Sequence, residues 1–555
     1  MAVVSNYTAL ISGMTWNGPE VSQTPAFVTY SFATRLPDYQ AADYGNASFK
    51  PLTRSEQATV EKALKIWADT CGITLLKVDP GEGDLTFGTY DFDRISGMQG
   101  SDGFAYFPSL YTDTYLGSLP DIPSMTVETS GDVFFRRGEV TLPLALHEIG
   151  HALGLKHPFS TTTGHTETLL SSIDTTDTTV MSYTFGSKAI TGLGPLDIAA
   201  VRALYGGPGT DGTQVAKWSW NGTTDTLTQI GRATSDKILG ISTSDVIRGN
   251  SGNDSLSGLA GDDTLSGGAG KDVIYGGTGD DVLLPGAGQD LIYGGDGSDT
   301  LSYADYGSAV SVTLAFATGY AGSTNVGATT KDLFLDIENV IGTSRADTLT
   351  GNAAANILTG GAGADVLAGG GGRDTASYET ARAGVVANLQ TARLNTGDAR
   401  GDSYSSIENL VGSSYSDRLT GNTGTNRIDG GRGNDTLDGG ARSDVLTGGA
   451  GSDRFVFSTA LGSSNVDRLT DFDPRYDTIA LENSIFQSLT RTGTLSSSAF
   501  KDIDTGSVDR NDRILYDSGN GSLYYDADGS GRTGAIKFAI LSTAPDLTAS
   551  DLLVV

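Results

Sequence analysis

Aspartates recur at nine-residue intervals through the middle of this 555-residue chain, and an aliphatic residue follows two places after each of them. In the unit GGAGKDVIY, residues 267–275, glycines precede the aspartate and a short strand-like end follows it. A flexible glycine-rich linker would not keep an aliphatic residue in phase. A short fixed period is typical of a solenoid, in which each repeat buries its apolar side chain by stacking on its neighbours. The aspartates of this first array, residues 241–303, are Asp245, Asp254, Asp263, Asp272, Asp281, Asp290 and Asp299.

Two shorter arrays repeat the pattern further along the chain, over residues 342–378 and 412–457. Between the arrays lie residues 304–341 and 379–411, which lack the nonapeptide but end alike, in IENVIG and IENLVG. We interpret these two segments as strand-rich connecting modules. The aspartate position is occupied by Asp347, Asn356, Asp365 and Asp374 in the second array and by Asp417, Asn426, Asp435, Asp444 and Asp453 in the third.

The repeat supplies the ligand chemistry of calcium rather than that of zinc. Glycines permit tight turns that expose carbonyl oxygens, and these oxygens join the aspartate carboxylates as hard donors. We therefore predict a parallel β-roll that holds several structural calcium ions between its turns. Without calcium the aspartates repel one another, so we expect this half of the chain to fold poorly. Pro285 replaces a glycine, and Asn356 and Asn426 replace aspartate, which predicts weaker binding at those turns or the end of a roll.

Charge and cysteine content narrow the class of protein. A formal net charge of −30 argues against nucleic-acid binding, which requires a basic surface. Cys71 is the only cysteine, so no intramolecular disulfide can form, and its place between a helix and an apolar strand predicts a packing role. No apolar run approaches the roughly 18 residues of a membrane-spanning helix. Residues 1–21 lack the basic and apolar regions of a Sec signal peptide, so we expect export to depend on another signal.

Residues 21–210 differ from the repeats, because they contain helical patterns and all four histidines. A mixed sheet covered by helices is predicted there. We assign residues 1–20 to an N-terminal segment, and whether it is a propeptide stays open. Residues 211–240 are assigned to a linker and residues 458–555 to a C-terminal capping domain. The predicted helices are 52–70, 141–153 and 195–205, and the predicted strands are 73–78, 84–89, 104–107 and 133–135.

The segment HEIGHALGLKH, residues 147–157, carries the residues of a catalytic zinc site. His147 and His151 lie four residues apart, so both imidazoles project from one helix face, and Glu148 lies beside them. Gly154 permits a turn that brings His157 to the same ion. Three protein ligands leave one coordination position for water, which is the pattern of catalytic rather than structural zinc. The alternative is that these histidines lie on a helix face and bind no metal. It is a poor alternative, because all three histidines have the spacing that a zinc site requires.

A second segment supports this site. Met181 can lie beneath the metal, and Tyr183, two residues later, can supply a phenol. His165 lies outside the pattern, and we interpret it as a residue of a surface loop.

These motifs, together with PLDIAA (195–200) and LYG (204–206), resemble the metzincin metalloproteases, and with the nonapeptides they are similar to the serralysin branch. The resemblance implies an α+β metzincin-like catalytic domain, an all-β parallel β-roll of the RTX type and a C-terminal β-rich cap. It implies one zinc ion held by His147, His151 and His157. It also implies that Glu148 is the general base and that Tyr183 is a displaceable ligand that stabilises the oxyanion.

The same resemblance implies a secreted endopeptidase of broad specificity that acts on extracellular proteins or peptides. Its partner in export would be the type I secretion machinery, and DLLVV (551–555) is similar to the terminus of that family. An extended substrate would add to a sheet edge. The segment GFAYFP, residues 103–108, resembles the rim strand used for this purpose, although an ordinary core strand is an almost equal alternative.

Two functions are compatible with these patterns. The first is an active zinc endopeptidase whose repeats serve folding and export. The second is a calcium-dependent surface or adhesion protein, in which the additional arrays tether the chain to a cell surface or matrix. Glu148 and the three histidines favour the first, because a binding module has no need of a general base.

Overall fold

The computed structural model describes residues 2–16, 23–36, 48–95, 98–108, 131–210, 212–314, 323–326, 330–529 and 534–555. The chain divides into two compact units, Met1–Gly297 and Ser298–Val555. Most of the regular structure in these ranges is β, and three α-helices accompany it. None of the helices in the described part of the chain is long and apolar enough to cross a membrane.

All three helices lie in the first unit, where the sequence predicts them. They are α1 (Arg54–Ala68), α2 (Leu142–Ala152) and α3 (Pro195–Tyr205). The Thr53 side chain accepts a hydrogen bond from the amide of Glu56, and the Glu56 carboxylate accepts one from the Thr53 amide, so the predicted capping box forms. One face of α1 buries Val60, Leu64 and Trp67 in the core shared with α2 and α3.

A five-stranded sheet packs against these helices. Its order is β3-β2-β4-β6-β5, and all neighbours are parallel except β5, which is antiparallel to β6. Within the described residues β5 is therefore an edge strand, the kind of strand to which an extended chain can add. The strands are β2 (Ala26–Phe32), β3 (Ile73–Lys77), β4 (Leu85–Tyr90), β5 (Gly103–Ala105) and β6 (Val133–Arg136), with a separate short pair of β1 (Val3–Val4) and β7 (Thr168–Leu169).

Residues 2–16, predicted as a separate segment, pack into the same core. The indole N–H of the buried Trp16 donates to the carbonyl of Ala152 at the end of α2, at 3.0 Å. The ammonium of Lys156, a side chain only 1% exposed, donates to three backbone carbonyls, among them that of Ala9 at 2.6 Å. These contacts make residues 2–16 a structural part of the first unit.

Beyond α3 the first unit continues as a two-sided parallel β-roll. Alternate nonapeptides enter alternate sheets, so paired residues are eighteen positions apart, as Ile247, Leu265 and Leu283 are. These aliphatic side chains are fully buried, and each such burial stabilises the roll by roughly 1.5–3 kcal/mol. Strand β8 (Lys217–Asn221) precedes the roll and pairs antiparallel with β9. The strands of the roll are β9 (Thr226–Ile230), β10 (Lys237–Leu239), β11 (Asp245–Ser251), β12 (Ser255–Ala260), β13 (Thr264–Gly270), β14 (Val273–Thr278), β15 (Val282–Gly288) and β16 (Leu291–Asp296).

The roll departs from the sequence prediction at two places. Residues 211–240 are not simply a linker, because β9 pairs with β11 and β10 pairs with β12, both in parallel. Their strands lack the glycine pattern that identifies the other turns. Pro285 does not end the roll, since β15 continues through it and its carbonyl oxygen lies beside Gly267, as a glycine carbonyl lies beside the equivalent glycine of neighbouring turns.

In the second unit the connecting modules belong to the same stack as the repeats. Val340 of the first module pairs with Leu358, and Leu410 of the second module pairs with Ala376 and Ile428. All of these side chains are buried, so the modules add coils to one continuous row.

The strands of this unit begin with β17 (Thr300–Ser302), β18 (Val310–Thr313), β19 (Ser323–Val326), β20 (Thr330–Leu335), β21 (Asn339–Ile341), β22 (Thr348–Thr350), β23 (Ile357–Thr359), β24 (Val366–Ala368), β25 (Thr375–Ser377), β26 (Val386–Asn388), β27 (Ser403–Ser405) and β28 (Asn409–Val411). The third array and the region beyond it contain β29 (Arg418–Thr420), β30 (Arg427–Asp429), β31 (Thr436–Asp438), β32 (Val445–Thr447), β33 (Arg454–Phe457), β34 (Asp467–Leu469), β35 (Thr478–Leu481), β36 (Gly493–Thr494), β37 (Phe500–Asp502), β38 (Ile514–Asp517), β39 (Ser522–Tyr525), β40 (Ile536–Leu541) and β41 (Leu552–Val554).

Candidate functional site

Helix α2 presents the first part of the candidate zinc site. His147 and His151 lie one turn apart and are each 8% exposed. The helix ends at Ala152, and Gly154 has φ +93°, where a side chain would collide with the carbonyl oxygen of Met14. This left-handed turn reverses the chain and brings His157 back to the two helical histidines.

The three imidazoles converge on one point. The Nε2 atom of His157 lies 3.2 Å from Nε2 of His147 and 3.1 Å from Nε2 of His151. Nδ1 of His147 lies 2.7 Å from the carbonyl oxygen of Val180, and Nδ1 of His151 lies 2.6 Å from that of Leu155. An Nδ1–H that donates to a carbonyl leaves Nε2 as a lone pair, so these two histidines direct lone pairs into the same space.

This arrangement fits a zinc ion. Zinc at about 2.0–2.1 Å from each nitrogen, in tetrahedral geometry, separates the nitrogens by about 3.3 Å. The observed Nε2 separations of 3.1 and 3.2 Å are close to that value. Burial lowers the pKa of all three imidazoles, to about 4 for His157, where the charges of His147 and Lys156 add to the effect. The neutral form, which binds metals, is therefore favoured.

Glu148 lies next to this cluster. It is 5% exposed, and its Oε1 would be 2.7 Å from a Cβ at Gly103, so the carboxyl group packs directly on the backbone of β5. Burial, followed by the charge of Asp102, raises the pKa of Glu148 to about 8. A carboxylate with so high a proton affinity is suited to accept a proton from a water molecule in the cleft.

Tyr183 contacts the histidines, and Met181 packs against helix α2. The Tyr183 ring is 64% exposed, and its centroid lies 4.6 Å from that of His157. Burial of part of the phenol, with the charge of Glu148, raises the pKa of Tyr183, so its hydroxyl stays protonated and can donate. Met181 is fully buried, with Sδ against the backbone of Gly150 on the inner side of α2.

The surrounding cleft has a volume of about 350 Å³. The edge strand β5 lines one wall, and the histidines, Glu148 and Tyr183 line the other. Phe159 stacks on His157 with centroids 5.1 Å apart, a contact that no spacing rule in the sequence indicated.

His165 lies outside the cluster, in a turn that packs on Gly13, and Cys71 is buried in the core.

The repeats build a second, extended site. The amide of Asp245 donates to Oδ1 of Asp263 at 2.6 Å, and the amide of Asp254 donates to Oδ1 of Asp272 at 2.8 Å, so carboxylates form a ladder with an eighteen-residue period. The residues predicted to bind calcium are all at most 4% exposed, namely Asp245, Asp254, Asp263, Asp272, Asp281, Asp290, Asp299, Asp347, Asp365, Asp374, Asp417, Asp435, Asp444 and Asp453.

Several ladder carboxylates keep one oxygen without a hydrogen bond. Oδ2 of Asp254, Asp263 and Asp272 is buried and lacks a partner, and each lies against the glycine five residues before it. The carbonyl oxygen of the next turn, such as Gly267 for Asp254, lies beside the same glycine. A buried anionic oxygen without a partner is strongly destabilising, and a calcium ion held by carboxylate and carbonyl oxygens would remove that cost.

At two turns of the ladder, an asparagine side chain forms a hydrogen bond where the other turns have an unpaired carboxylate oxygen. The side-chain amide of Asn356 donates to the carbonyl of Glu338 at 2.7 Å, and that of Asn426 donates to the carbonyl of Glu408 at 2.6 Å. An N–H group thus takes the place of a metal contact, which agrees with weaker calcium binding at these turns. Neither residue ends the stack.

The ladder also contains acidic residues that are not among the predicted calcium ligands. The sequence carried a signal for three of them: Asp236 lies nine residues before Asp245, and Glu338 and Glu408 lie in the repeated IEN endings. Asp402, Asp467 and Asp477 have no such period, because insertions shift them out of phase. The residues whose carboxylates accept from a ladder amide are Glu338, Asp402, Glu408, Asp467 and Asp477, and the amide of Asp236 donates to Asp254.

Comparison with known proteins finds relatives of the repeats and of metallopeptidases. A family model described as the RTX calcium-binding nonapeptide repeat matches residues 239–274, 248–283, 266–301, 341–376, 404–437 and 430–458. Metallopeptidase AprA of Pseudomonas marginalis is 30% identical over 201 residues, which cover 32% of this chain and 40% of that protein. Serralysin B of Dickeya chrysanthemi is 30% identical over 240 residues, which cover 38% of this chain and 45% of that protein.

A serralysin of Photorhabdus laumondii is 28% identical over 243 residues, which cover 40% of this chain and 48% of that protein. The chain thus spans less than half the length of each of these curated relatives. Its repeats match a family model, and the curated relatives named here are metallopeptidases. The chain is therefore similar to the serralysin-type metallopeptidases and carries RTX calcium-binding nonapeptide repeats.

Proposed function

We propose that the chain is a secreted zinc-dependent endopeptidase that calcium folds and stabilises. The observation that carries this proposal is the convergence of three imidazoles beside the buried Glu148, within a cleft that β5 borders. A surface or adhesion protein would gain nothing from a carboxyl group whose pKa is raised to about 8 next to three neutral histidines.

His147, His151 and His157 would hold the zinc ion. A bound zinc ion lowers the pKa of a water molecule and polarises a substrate carbonyl. Glu148 accepts a proton from the attacking water and then donates it to the leaving amine. The Tyr183 hydroxyl donates a hydrogen bond to the carbonyl oxygen as negative charge develops there.

The substrate would be an extended peptide that adds to β5. Within the described residues β5 has one paired neighbour, β6, and its other side borders the cleft. Backbone pairing binds many sequences alike, which supports broad specificity. The scissile bond would then lie between the strand and the histidines.

The repeats support a role in export and folding. The chain would leave the cell by a type I system that recognises its C-terminal region, and it would fold where calcium is abundant. The proposed domain order is a catalytic domain within residues 21–210, repeats within 241–457 and a cap within 458–555. The second candidate, attachment to a cell surface or matrix, would use the same repeats without the cleft.

Activity should depend on zinc separately from calcium. We expect the calcium-loaded chain to cleave a quenched, chemically unfolded protein, to lose this activity when zinc alone is stripped, and to regain it on addition of zinc. Circular dichroism shows whether the stripped protein remains folded, and zinc analysis shows whether the metal has been removed. A folded, zinc-loaded protein that cleaves no unfolded substrate would contradict the proposed function and favour surface attachment.

Replacing Tyr183 by phenylalanine should lower kcat by about 100-fold, because one hydrogen-bond donor to the oxyanion is removed. KM should change little, since the phenyl ring can keep its stacking on His147 and its contact with His157. Steady-state kinetics with a quenched peptide measures both constants. Phe159→Leu removes the other ring beside His157 and serves as the matched control, with kcat expected to stay within about tenfold. An unchanged kcat in the Tyr183 variant would exclude its role.

A further inference from the structure

The start of β4 is bonded to the first turn of the roll through a chain of polar groups. Asp84 is 3% exposed, and its Oδ2 accepts a hydrogen bond from the Thr29 amide at 2.7 Å. The Thr29 hydroxyl lies 2.9 Å from that of Ser242, whose hydroxyl donates to the carbonyl of Glu82 at 3.0 Å. The loop before β4 and the turn before Asp245 therefore lie in contact.

Asp245 differs from the interior aspartates of the ladder. In the interior turns Oδ1 accepts from the residue eighteen positions earlier, as Oδ1 of Asp263 does from Asp245. Oδ2 of Asp245 instead accepts from the amide of Ile241 at 2.7 Å, four residues earlier, and its Oδ1 has no hydrogen-bond partner. Asp245 is 1% exposed, so this oxygen has no access to bulk water.

Asp84 is a second buried carboxylate in this region. Its Oδ1 is buried and forms no hydrogen bond of good geometry, although the Thr29 and Ser242 hydroxyls lie close enough to oppose the rise in pKa that burial causes for Asp84. The two carboxyl groups act on each other: after burial and the charge of Asp263, the charge of Asp84 raises the pKa of Asp245. Neither carboxylate forms an ion pair with a lysine or arginine within the described residues.

Two buried carboxylate groups that act on each other without a cation nearby are strongly destabilising. The groups around them are oxygen donors: the hydroxyls of Thr29 and Ser242 and the carbonyl of Glu82. Carboxylate, hydroxyl and carbonyl oxygens are hard ligands, and a set of this kind favours calcium over zinc.

We propose that Asp84 and Asp245 together bind one calcium ion, which ties the sheet of the first unit to the first turn of the roll. This site differs from the ladder sites, because one of its carboxylates comes from β-sheet residues outside every repeat. β4 is the neighbour of β6, and β6 pairs with β5, so calcium bound here would stabilise the sheet that borders the cleft. The inference does not depend on peptidase activity.

The test is thermal unfolding of the full-length Asp84→Asn variant with and without calcium. Asparagine keeps the size of the side chain but removes its charge. In calcium-free buffer we expect the variant to unfold at a higher temperature than wild type, because the repulsion is relieved. In calcium we expect the order to reverse, with a calcium-induced rise in Tm smaller by at least about 3 °C. Calcium titration calorimetry should give one ion fewer per chain.

A matched control is Asp132→Asn, which alters another buried carboxylate of the same sheet, 2% exposed and bonded to the Thr86 amide. Its Tm should change equally with and without calcium. If Asp84→Asn lowers Tm equally in both buffers, Asp84 is a hydrogen-bond acceptor only, and the proposal is wrong. If it raises Tm in both, the two carboxyl groups share a proton rather than a cation, and the proposal is also wrong.

Terbium luminescence provides a measurement on wild type if the variant does not fold. Trp220 packs against the cluster that contains Ile241, next to the proposed site, and no tryptophan occurs after residue 220. Trp218 contacts Phe27 of the same cluster, with ring centroids 5.0 Å apart. Terbium in place of calcium should therefore emit when tryptophan alone is excited, and the double substitution Trp218→Phe with Trp220→Phe should abolish most of that emission. Absence of tryptophan-sensitised emission from wild type would overturn the proposal.

Discussion

Glu148→Gln should lower kcat for peptide hydrolysis by about 1,000-fold while the protein keeps its zinc and its fold. General acid–base catalysis contributes typically 10²–10⁴-fold, and in this cleft Glu148 is the carboxyl group that packs between the histidines and β5. Glutamine has the same shape and can fill the same space beside Gly103, so the substitution removes the proton acceptor without opening a cavity. Kinetics with a quenched unfolded substrate, together with zinc analysis, measures the effect.

The control is Glu139→Gln, which alters an exposed carboxylate shortly before α2. We expect its kcat to stay within about twofold of wild type, since surface substitutions away from special features have small effects. A Glu148→Gln protein with normal zinc content and more than a tenth of wild-type activity would exclude Glu148 as the general base. Loss of zinc in the variant would instead assign Glu148 to metal binding.

Removal of calcium should unfold the repeats at neutral and basic pH. At acid pH, protons bound to the ladder carboxyls should partly replace the calcium ions. Burial raises the pKa of the ladder carboxyls, to about 9 for Asp263, about 8 for Asp444 and about 7 for Asp365. The ordinary pKa of aspartate in an unfolded chain is about 3.9. Between these values the calcium-free folded state binds protons that the unfolded state does not.

The sign of the pH dependence follows from this difference. The stability that these carboxyls contribute to the calcium-free fold is fully present below about pH 4 and is lost as pH rises through their folded pKa values. We expect the Tm of the calcium-free protein to fall by at least about 10 °C between pH 5 and pH 8. Calcium replaces the protons, so its stabilising effect should be larger at pH 8 than at pH 5. Circular dichroism of the β signal, on protein dialysed free of metal, measures both.

Asp365→Asn provides a matched variant, because it copies the turn that Asn356 already forms. It should raise the calcium-free Tm at pH 8 and reduce the gain in Tm on addition of calcium, since Oδ2 of Asp365 has no hydrogen-bond partner to lose. A calcium-free Tm that rises or stays constant from pH 5 to pH 8 would contradict the assignment of these carboxyls as the groups that calcium neutralises.

Short-range spacing was sufficient to predict much of this molecule. The nine-residue period placed aliphatic residues such as Ile274 in the roll interior and aspartates such as Asp272 in the ladder. The four-residue spacing of His147 and His151, with the glycine turn at Gly154, brought three imidazoles together. In both cases the residues that meet are related by the geometry of one helix or one coil, so their positions along the chain determine their positions in space.

Only the tertiary structure revealed the contacts between elements. The contact of the Thr29 and Ser242 hydroxyls, the hydrogen bond of the Lys156 ammonium to Ala9 and the ladder role of Asp402 join residues at spacings that follow no period. Such contacts depend on how sheets, loops and insertions of different lengths pack together, and a loop can change length at small cost in free energy. The sequence by itself therefore determined which side chains meet within each repeat and around the helix, whereas packing between elements decided which further carboxylates join the ladder.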